Sequence, residues 1–334
     1  MAAELLSTET PAQFQVAVKR AAELLRAGEV VALPTETVYG LAANAFDPAA
    51  VARIYEIKGR PAHNPIIVHV ASWELARRCA APWPVAAERL ARAFWPGPLT
   101  IVLPRAPAIP DVVTAGGATV GLRWPAHPFI QAVIRECGFP LAAPSANRSN
   151  EVSPTSAAHV LRSLGDRLPL IVDGGPSAVG IESTVVDLSE AGARVLRPGM
   201  IHEEIIAATL DEGVQAGSTD GRLRSPGLLP KHYSPRAHLV VLAWNSAEEL
   251  LRQAAERGID VSRSVVIAHS CLPAPEGWAG VHVIPHDAEA YARALYAEWH
   301  RCDETGVGWI VMEAVPATPE WRGIADRLRR AATA

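Results

Sequence analysis

Short apolar segments alternate with helical segments along the first 200 residues, and this alternation limits the fold more than any other feature. Thr10 and Pro11 can start a helix, Gly28 can end it, and residues 29–33 (EVVAL) then read as a buried strand. The same pattern predicts helices over 47–58, 85–95, 127–137 and 156–163, and strands over 65–70, 99–103, 119–124, 140–144, 169–173 and 182–188. Such close alternation predicts an α/β domain built on a twisted sheet.

The amino-acid composition changes after Leu210. Residues 211–236 are rich in Gly, Pro, Ser and charge and lack an apolar period, which predicts a linker between a domain at 1–210 and a smaller one at 237–334. The second domain has three strand-like and three helical segments, typical of a Rossmann-like α/β unit. No G-x-G-x-x-G follows its first strand, so no nucleotide is assigned to it.

Charge and cysteine usage exclude several classes of protein. The 31 basic and 35 acidic residues give a formal charge of −4, which disfavours nucleic acid as the main ligand. Cys79, Cys137, Cys271 and Cys302 are far apart and suit neither a disulfide scaffold nor a zinc cluster. The chain shows no signal peptide and no apolar run long enough for a membrane span, so we expect a cytoplasmic protein.

Polar residues cluster in five loops next to predicted strands, at 34–40, 58–64, 119–125, 143–149 and 181–187. Ligands in open α/β sheets bind outside strand ends, so these loops are candidate binding elements. Lys58 and Arg60 stand on a turn stiffened by proline, where two cations suit a polyphosphate. The alternative is that they only complement the dipole of a helix end. The Ser145–Asn147 segment is either a second phosphate-binding wall or an ordinary turn.

Three further side chains stand in apolar surroundings. Arg123 ends a hydrophobic strand and needs an anion, which the carboxylate of a ligand could supply. Ser183 and His69 could bind a ligand, but each has a structural alternative. Ser183 could simply donate to a backbone carbonyl, and His69 could be a hydrogen-bonded histidine of the core. Cations, hydroxyls and amides without a nucleophile–base pair or a set of metal ligands indicate phosphoryl or nucleotidyl transfer.

Seven motifs, in this order along residues 12–206, resemble those of threonylcarbamoyl-AMP synthases: PTETVYGLA (34–42), KGRP (58–61), NPIIVH (64–69), FWPGPLT (94–100), APSAN (143–147), ESTVVD (182–187) and LRPG (196–199). HYSP (232–235) and the domain after it resemble the two-domain form of this family. The resemblance implies a YrdC-like domain with a twisted, open, mixed sheet and flanking helices, followed by the linker and the Rossmann-like domain.

The resemblance also implies a reaction in which L-threonine, bicarbonate or CO2, and ATP give threonylcarbamoyl-AMP and pyrophosphate. Mg²⁺ would be bound mainly through the ATP phosphates, and partner proteins would transfer the product to tRNA position 37, so direct tRNA binding is possible but not required. The linker would close over the nucleotide as a lid that protects the labile adenylate.

The family pattern carries over to individual residues. The implied threonine-binding residues are Thr37, His69, Arg123, Ala143 and Ser183. The implied ATP-binding residues are Lys58, Arg60, Asn64, Thr119, Ser145, Asn147, Ser153, Arg197 and Tyr233, of which Lys58 and Arg60 would also stabilise the developing charge.

Two other functions are weighed against this one. A structured-RNA-binding module would bind RNA without synthase activity, and the acidic balance counts against it. A carbamoyl-phosphate-dependent transfer domain, as in hydrogenase-maturation proteins of this fold, would come with zinc-finger segments that the isolated cysteines cannot build. The chain also departs from the family at Asn150 and Ala42, where glycine is common; Asn tolerates a left-handed backbone, so we expect the turn at Asn150 to survive.

Overall fold

The structure is a computed structural model that describes residues 3–217 and 233–332. Contacts divide these residues into two units. Unit 1 takes in the described residues up to Gly217 except Asn150–Val152, and unit 2 takes in Asn150–Val152 and the residues from Tyr233 onwards.

One mixed sheet organises unit 1. Its eleven strands, in chain order, are β1 Glu4–Ser7, β2 Val31–Leu33, β3 Gly40–Asn44, β4 Val68–His69, β5 Leu99–Pro104, β6 Thr119–Arg123, β7 Leu141–Ala142, β8 Leu170–Asp173, β9 Thr184–Asp187, β10 Ala193–Arg197 and β11 Val214–Ala216. Their order across the sheet is β1-β8-β2-β3-β7-β4-β6-β5-β9-β10-β11. β4 and β6 run parallel and β5 runs antiparallel to β6, so the predicted mixed sheet is confirmed.

The helices of unit 1 are α1 Pro11–Arg26, α2 Pro48–Lys58, α3 Trp73–Cys79, α4 Val85–Phe94, α5 Asp111–Thr114, α6 Pro128–Cys137, α7 Ala157–Leu164 and α8 Glu203–Leu210. Local sequence explains where they begin and end. Thr10 caps α1 in a capping box with Gln13, and Asp47 accepts two backbone N–H groups at the start of α2. Gly59 ends α2 with a φ of +61°, which places Lys58 on the last turn of the helix.

Unit 2 is a parallel sheet with the order β12-β15-β13-β14. Its strands are β12 His238–Leu242, β13 Ser264–Ala268, β14 Gly280–Val283 and β15 Trp309–Glu313, and its helices are α9 Ala247–Glu256, α10 Ala288–Thr305 and α11 Arg322–Ala331. Single 3-10 turns stand at Val261–Arg263 and Pro319–Trp321. The Rossmann-like arrangement agrees with the expectation, with one strand (β14) more than the three that were predicted.

The structure differs from the sequence-based expectation where proline interrupts an apolar run. Only Val68–His69 of the segment 65–70 and only Leu141–Ala142 of 140–144 pair as strands. Pro65, Pro140 and Pro144 have no backbone N–H to donate to a ladder, which shortens both strands. Conversely, Val214–Ala216, at the start of the predicted linker, pair with β10 and extend the sheet.

Asn150 has a φ of +70°, so the left-handed turn expected where the family has glycine is present. Ala42 is not among the residues with positive φ; it lies inside β3, paired with Val31. The second departure therefore causes no backbone strain.

Gly199 lies where a side chain cannot fit. A Cβ at this position would stand 2.5 Å from the Thr184 nitrogen and 2.9 Å from the Glu182 oxygen. We expect Gly199→Ala to lower the free energy of unfolding by about 1–3 kcal/mol because β9 must shift. Urea unfolding measures this. Gly213→Ala is the matched control, since nothing lies within 4 Å of its Cβ, and equal losses in both variants would contradict the packing argument.

Candidate active site

Polar side chains from neighbouring central strands lie on one face of the unit 1 sheet. His69 on β4 is registered with Arg123 on β6. Thr100 on β5 lies beside Arg123, since Ile101 is registered with Leu122 and side chains alternate along a strand. Ser183, just before β9, shares a 2.8 Å hydrogen bond with Thr100. The alternate positions Val68, Ile101, Leu122 and Val186 belong to the apolar core. The candidate site therefore extends over the sheet face opposite this core, as well as the loops beside it.

Arg123 is buried and makes three polar contacts within unit 1. Its Nη1 donates to the Thr37 hydroxyl at 2.8 Å and its Nε to the Gly97 carbonyl at 3.3 Å. Its Nη2 forms an ion pair with Oε1 of Glu36 at 2.7 Å. The anion that the sequence required for Arg123 is thus partly supplied by the protein. Glu36 was not among the predicted site residues; the signal that could have found it is an acidic residue inside a loop of otherwise apolar and hydroxyl character.

The ionisation of this group of residues follows from its burial. Burial raises the pKa of the Glu36 carboxyl, but the Arg123 guanidinium and the Ala126 N–H more than offset this and hold it below its usual value. Burial, with the positive charge of Arg123 added, lowers the pKa of His69 well below its usual range. At neutral pH, Glu36 is charged and His69 is neutral, so the three side chains have no net charge.

Ser183 connects two sets of predicted residues. Arg197 donates from Nε to the Ser183 carbonyl at 3.0 Å and from Nη2 to its hydroxyl at 3.1 Å. Next to it in the chain, Glu182 accepts a 2.6 Å hydrogen bond from Ser153. Ser183 was expected to contact threonine, whereas Arg197 and Ser153 were expected to contact ATP. The structure brings these residues to the segment just before β9, with Arg197 on Ser183 and Ser153 on the adjacent Glu182.

Lys58 and Arg60 lie against the neighbouring loops. Lys58 is 3 % exposed, and its Nζ donates to the carbonyl oxygens of Ser145 and Asn147. The loop also approaches the helix end through a 2.9 Å bond from the Ser149 N–H to the Lys58 carbonyl. Arg60 donates to the carbonyls of Asn64 at 3.1 Å and Pro65 at 2.7 Å. These contacts go beyond complementing a helix dipole, because Lys58 reaches across to the 143–149 loop and Arg60 bonds carbonyls within its own loop.

Three predicted residues stand apart from these contacts. Ala143 follows β7 and donates its N–H to Ile67, next to the His69 strand. Thr119 begins β6, four residues from Arg123, or about 13 Å along the strand and on the same face. Tyr233 packs inside unit 2, with its ring 6.0 Å from Tyr296 and a φ of +62°.

The lid prediction for 211–236 is only partly covered by the structure. Residues 218–232, including His232 of the HYSP motif, lie outside the described residues. Arg327 of unit 2 is buried. Its Cζ atom lies over the Tyr233 ring, 5.4 Å from the ring centroid. A role of Tyr233 above a nucleotide stays a prediction.

Between residues 3 and 217 and between 233 and 332, no group of three or more His, Cys, Asp or Glu side chains is arranged to hold a metal ion. None of the helices described in these ranges is long and apolar enough to cross a bilayer.

Burial of neutral His69 predicts how stability depends on pH. The unfolded chain takes up a proton at this histidine near pH 6.5 and the folded chain does so only at lower pH, so the stabilisation is present above pH 6.5 and is lost as pH falls. We expect His69→Gln to reduce the loss of stability between pH 7 and 5 by up to about 1.4 kcal/mol per pH unit below 6.5. Urea unfolding at several pH values measures it. Burial also lowers the pKa values of His127 and His282, but these histidines contribute equally to the pH dependence of the unaltered protein and of His69→Gln. Parallel curves of unfolding free energy against pH for the two proteins would contradict the role given to His69.

Two family models match this chain, one in each part. Residues 23–199 match a family model described as telomere recombination, of the Sua5, YciO and YrdC proteins. Residues 199–333 match the threonylcarbamoyl-AMP synthase C-terminal domain.

Two curated relatives carry the name threonylcarbamoyl-AMP synthase. The chain is 41% identical to the one from Pyrococcus abyssi, over 94% of this chain and 93% of the relative, and 41% identical to the one from Bacillus subtilis, over 98% and 94%. Among solved structures, P. abyssi Sua5 complexed with L-threonine matches with a TM-score of 0.88 and 37% identity, covering 99% of this chain and 98% of that one. The predicted resemblance and its fold are thereby confirmed.

Proposed function

This chain belongs to the threonylcarbamoyl-AMP synthase family, and we propose that unit 1 acts as a nucleotidyltransferase on L-threonine, bicarbonate or CO2, and ATP. The observation that carries the proposal is the contact of Arg197 with Ser183, because it joins the side chains expected to bind ATP to those expected to bind threonine. The bound threonine of the P. abyssi relative supports the same substrate here.

In this reaction the substrates supply the nucleophiles. The threonine amine forms an N–C bond with CO2 and loses a proton, which gives a carbamate. A carbamate oxygen then attacks the α-phosphorus of ATP, and the bond to the β-phosphate oxygen breaks to release pyrophosphate. The protein has to hold both substrates in line and offset the negative charge that builds up on the leaving group.

The described side chains are suited to these tasks. Lys58, Arg60 and Arg197 are positive groups that contact carbonyl oxygens and a hydroxyl of unit 1. We expect polyphosphate oxygens to take over these donors in the complex, since charge-assisted hydrogen bonds are stronger than neutral ones. Neutral His69 and the hydroxyls of Thr37 and Ser183 would contact threonine.

Mg²⁺ is proposed to enter with ATP. The described residues hold no cluster of carboxylates and imidazoles that could cage the ion, which suits a cation held mainly by phosphate oxygens. When bound, it would neutralise part of the phosphate charge. Glu182, whose carboxylate accepts from Ser153, is the acidic side chain beside the nucleotide residues.

We propose the remaining division of labour on the family pattern. Residues 1–210 would be catalytic, 211–236 a lid and 237–334 an accessory domain, with ATP as substrate. The labile product would pass to proteins that modify tRNA, in the cytoplasm.

Pyrophosphate release tests the function. The full chain is incubated with Mg²⁺ and ATP in bicarbonate buffer, with L-threonine, with L-serine or with no amino acid. Release that requires both threonine and bicarbonate is the expected result. Release that ignores threonine would mean a different co-substrate, and salt-dependent RNA binding without release would favour an RNA-binding function.

If the linker acts as a lid, a variant of Tyr233 should affect the yield of intact product more than the rate of pyrophosphate release. We expect Tyr233→Ala to reduce the amount of intact threonylcarbamoyl-AMP relative to pyrophosphate released, because water then reaches the adenylate. Liquid chromatography of the product measures this ratio. Tyr233→Phe keeps the ring that packs on Tyr296 and separates a packing defect from loss of the hydroxyl. Unchanged rate and yield in Tyr233→Ala would rule out the lid.

A further inference from the structure

The Glu36 carboxylate is a buried group whose hydrogen-bonding capacity unit 1 uses only in part. Its side chain is 9 % exposed; Oε1 pairs with Nη2 of Arg123 at 2.7 Å, whereas Oε2 accepts no hydrogen bond of acceptable geometry. Nδ1 of His69 is likewise buried without such a bond. Buried polar atoms seldom stay unsatisfied, and two of them in one set of neighbouring side chains indicate that a polar ligand completes it.

The charges of these residues restrict what the ligand can be. Arg123 is positive and Glu36 negative, so their pair is neutral. The two histidines nearby supply no further charge at neutral pH, because burial lowers the pKa of both His69 and His127. A ligand that offered only a carboxylate would leave an uncompensated negative charge in a buried site. A zwitterion offers one charge of each sign and matches the pair.

We propose that Glu36 binds the α-ammonium group of L-threonine while Arg123 binds its α-carboxylate. The inference rests on the proposed function, and it assigns to Glu36 the selection of an amino acid over a hydroxy acid. The proton must leave the nitrogen before the N–C bond forms. Glu36 can accept a hydrogen bond from the nitrogen in both its ammonium and its amine state.

Calorimetric titration without ATP tests the assignment on the full chain. The probes are L-threonine, (2S,3R)-2,3-dihydroxybutanoate, in which a hydroxyl replaces the ammonium, and L-threonine methyl ester, which lacks the carboxylate charge. The unaltered protein is expected to bind threonine at least about 10-fold more tightly than the hydroxy acid. Glu36→Gln is expected to weaken threonine about 10- to 100-fold and to leave the hydroxy acid unchanged or tighter, because Arg123 is then no longer neutralised.

A merely structural role would give another pattern. If Glu36 only orients Arg123, Glu36→Gln weakens both carboxylate ligands equally and spares the methyl ester, and this result overturns the proposal. Equal affinity of the unaltered protein for threonine and the hydroxy acid overturns it without any variant. Glu88→Gln, which removes a partly exposed carboxylate of α4 that pairs with Arg92, is the control for loss of one carboxylate. If the unaltered protein does not bind threonine at all, the proposed function is overturned together with the role of Glu36. If it binds threonine but the Glu36→Gln pattern is absent, only the role of Glu36 is overturned.

Discussion

Replacing Arg123 with methionine is expected to abolish threonine-dependent pyrophosphate release and to lower the free energy of unfolding by about 3–5 kcal/mol. The catalytic loss follows because Arg123 is a cation on the sheet face shared with His69 and is proposed to bind the substrate carboxylate. The stability loss follows because Glu36 would remain buried and charged without its partner at 2.7 Å. Pyrophosphate release and urea unfolding measure the two effects.

A double variant separates stability from activity. Glu36→Gln combined with Arg123→Met removes both charges, so most of the lost stability should return, since two neutral side chains tolerate burial. Activity should stay absent, because the proposed partner of the substrate carboxylate, Arg123, is missing. Recovery of turnover in the double variant would contradict the role of Arg123 in binding threonine.

Loss of the Lys58 ammonium is expected to reduce kcat about 10²- to 10³-fold in Lys58→Met, the range seen when one charge-stabilising donor is removed. The ammonium reaches the loop at Ser145 and Asn147, where we expect the leaving pyrophosphate to bind. The KM for threonine should change little, because Arg123 and His69 lie on the sheet face and are unaltered. Initial rates at saturating and limiting threonine measure this separation.

Lys19→Met is the matched control, since this lysine is exposed on α1 and its loss changes net charge by the same amount. Lys58→Arg keeps the charge, but a planar guanidinium replaces the compact ammonium between two carbonyls, so we expect only partial recovery. A rise confined to the KM for threonine in Lys58→Met, with kcat unchanged, would place this residue in the other half of the site.

Most helices could be predicted because their signals are local. The caps Thr10 and Asp47 and the terminator Gly59 act within four residues, so the sequence is enough to find them. β3 (Gly40–Asn44) and β10 (Ala193–Arg197) were not predicted, since each pairs antiparallel with a strand whose register only the folded sheet determines. β11 was hidden in a polar segment because an edge strand needs no apolar run.

The candidate site also contains residues that the sequence could predict and residues that only the structure revealed. The residues of the KGRP and APSAN motifs were recognisable because each motif is short and contiguous, and its residue types already suit phosphate. The Glu36–Arg123 pair was not recognisable, since its partners lie 87 positions apart and nothing local links an acidic residue in a loop to an arginine on a strand. Ser183 and Arg197 meet only because β9 and β10 run antiparallel with an irregular register. The sequence by itself determined which chemistry the chain can carry; tertiary structure decided which charges are buried together, because burial and pairing depend on which strands become neighbours.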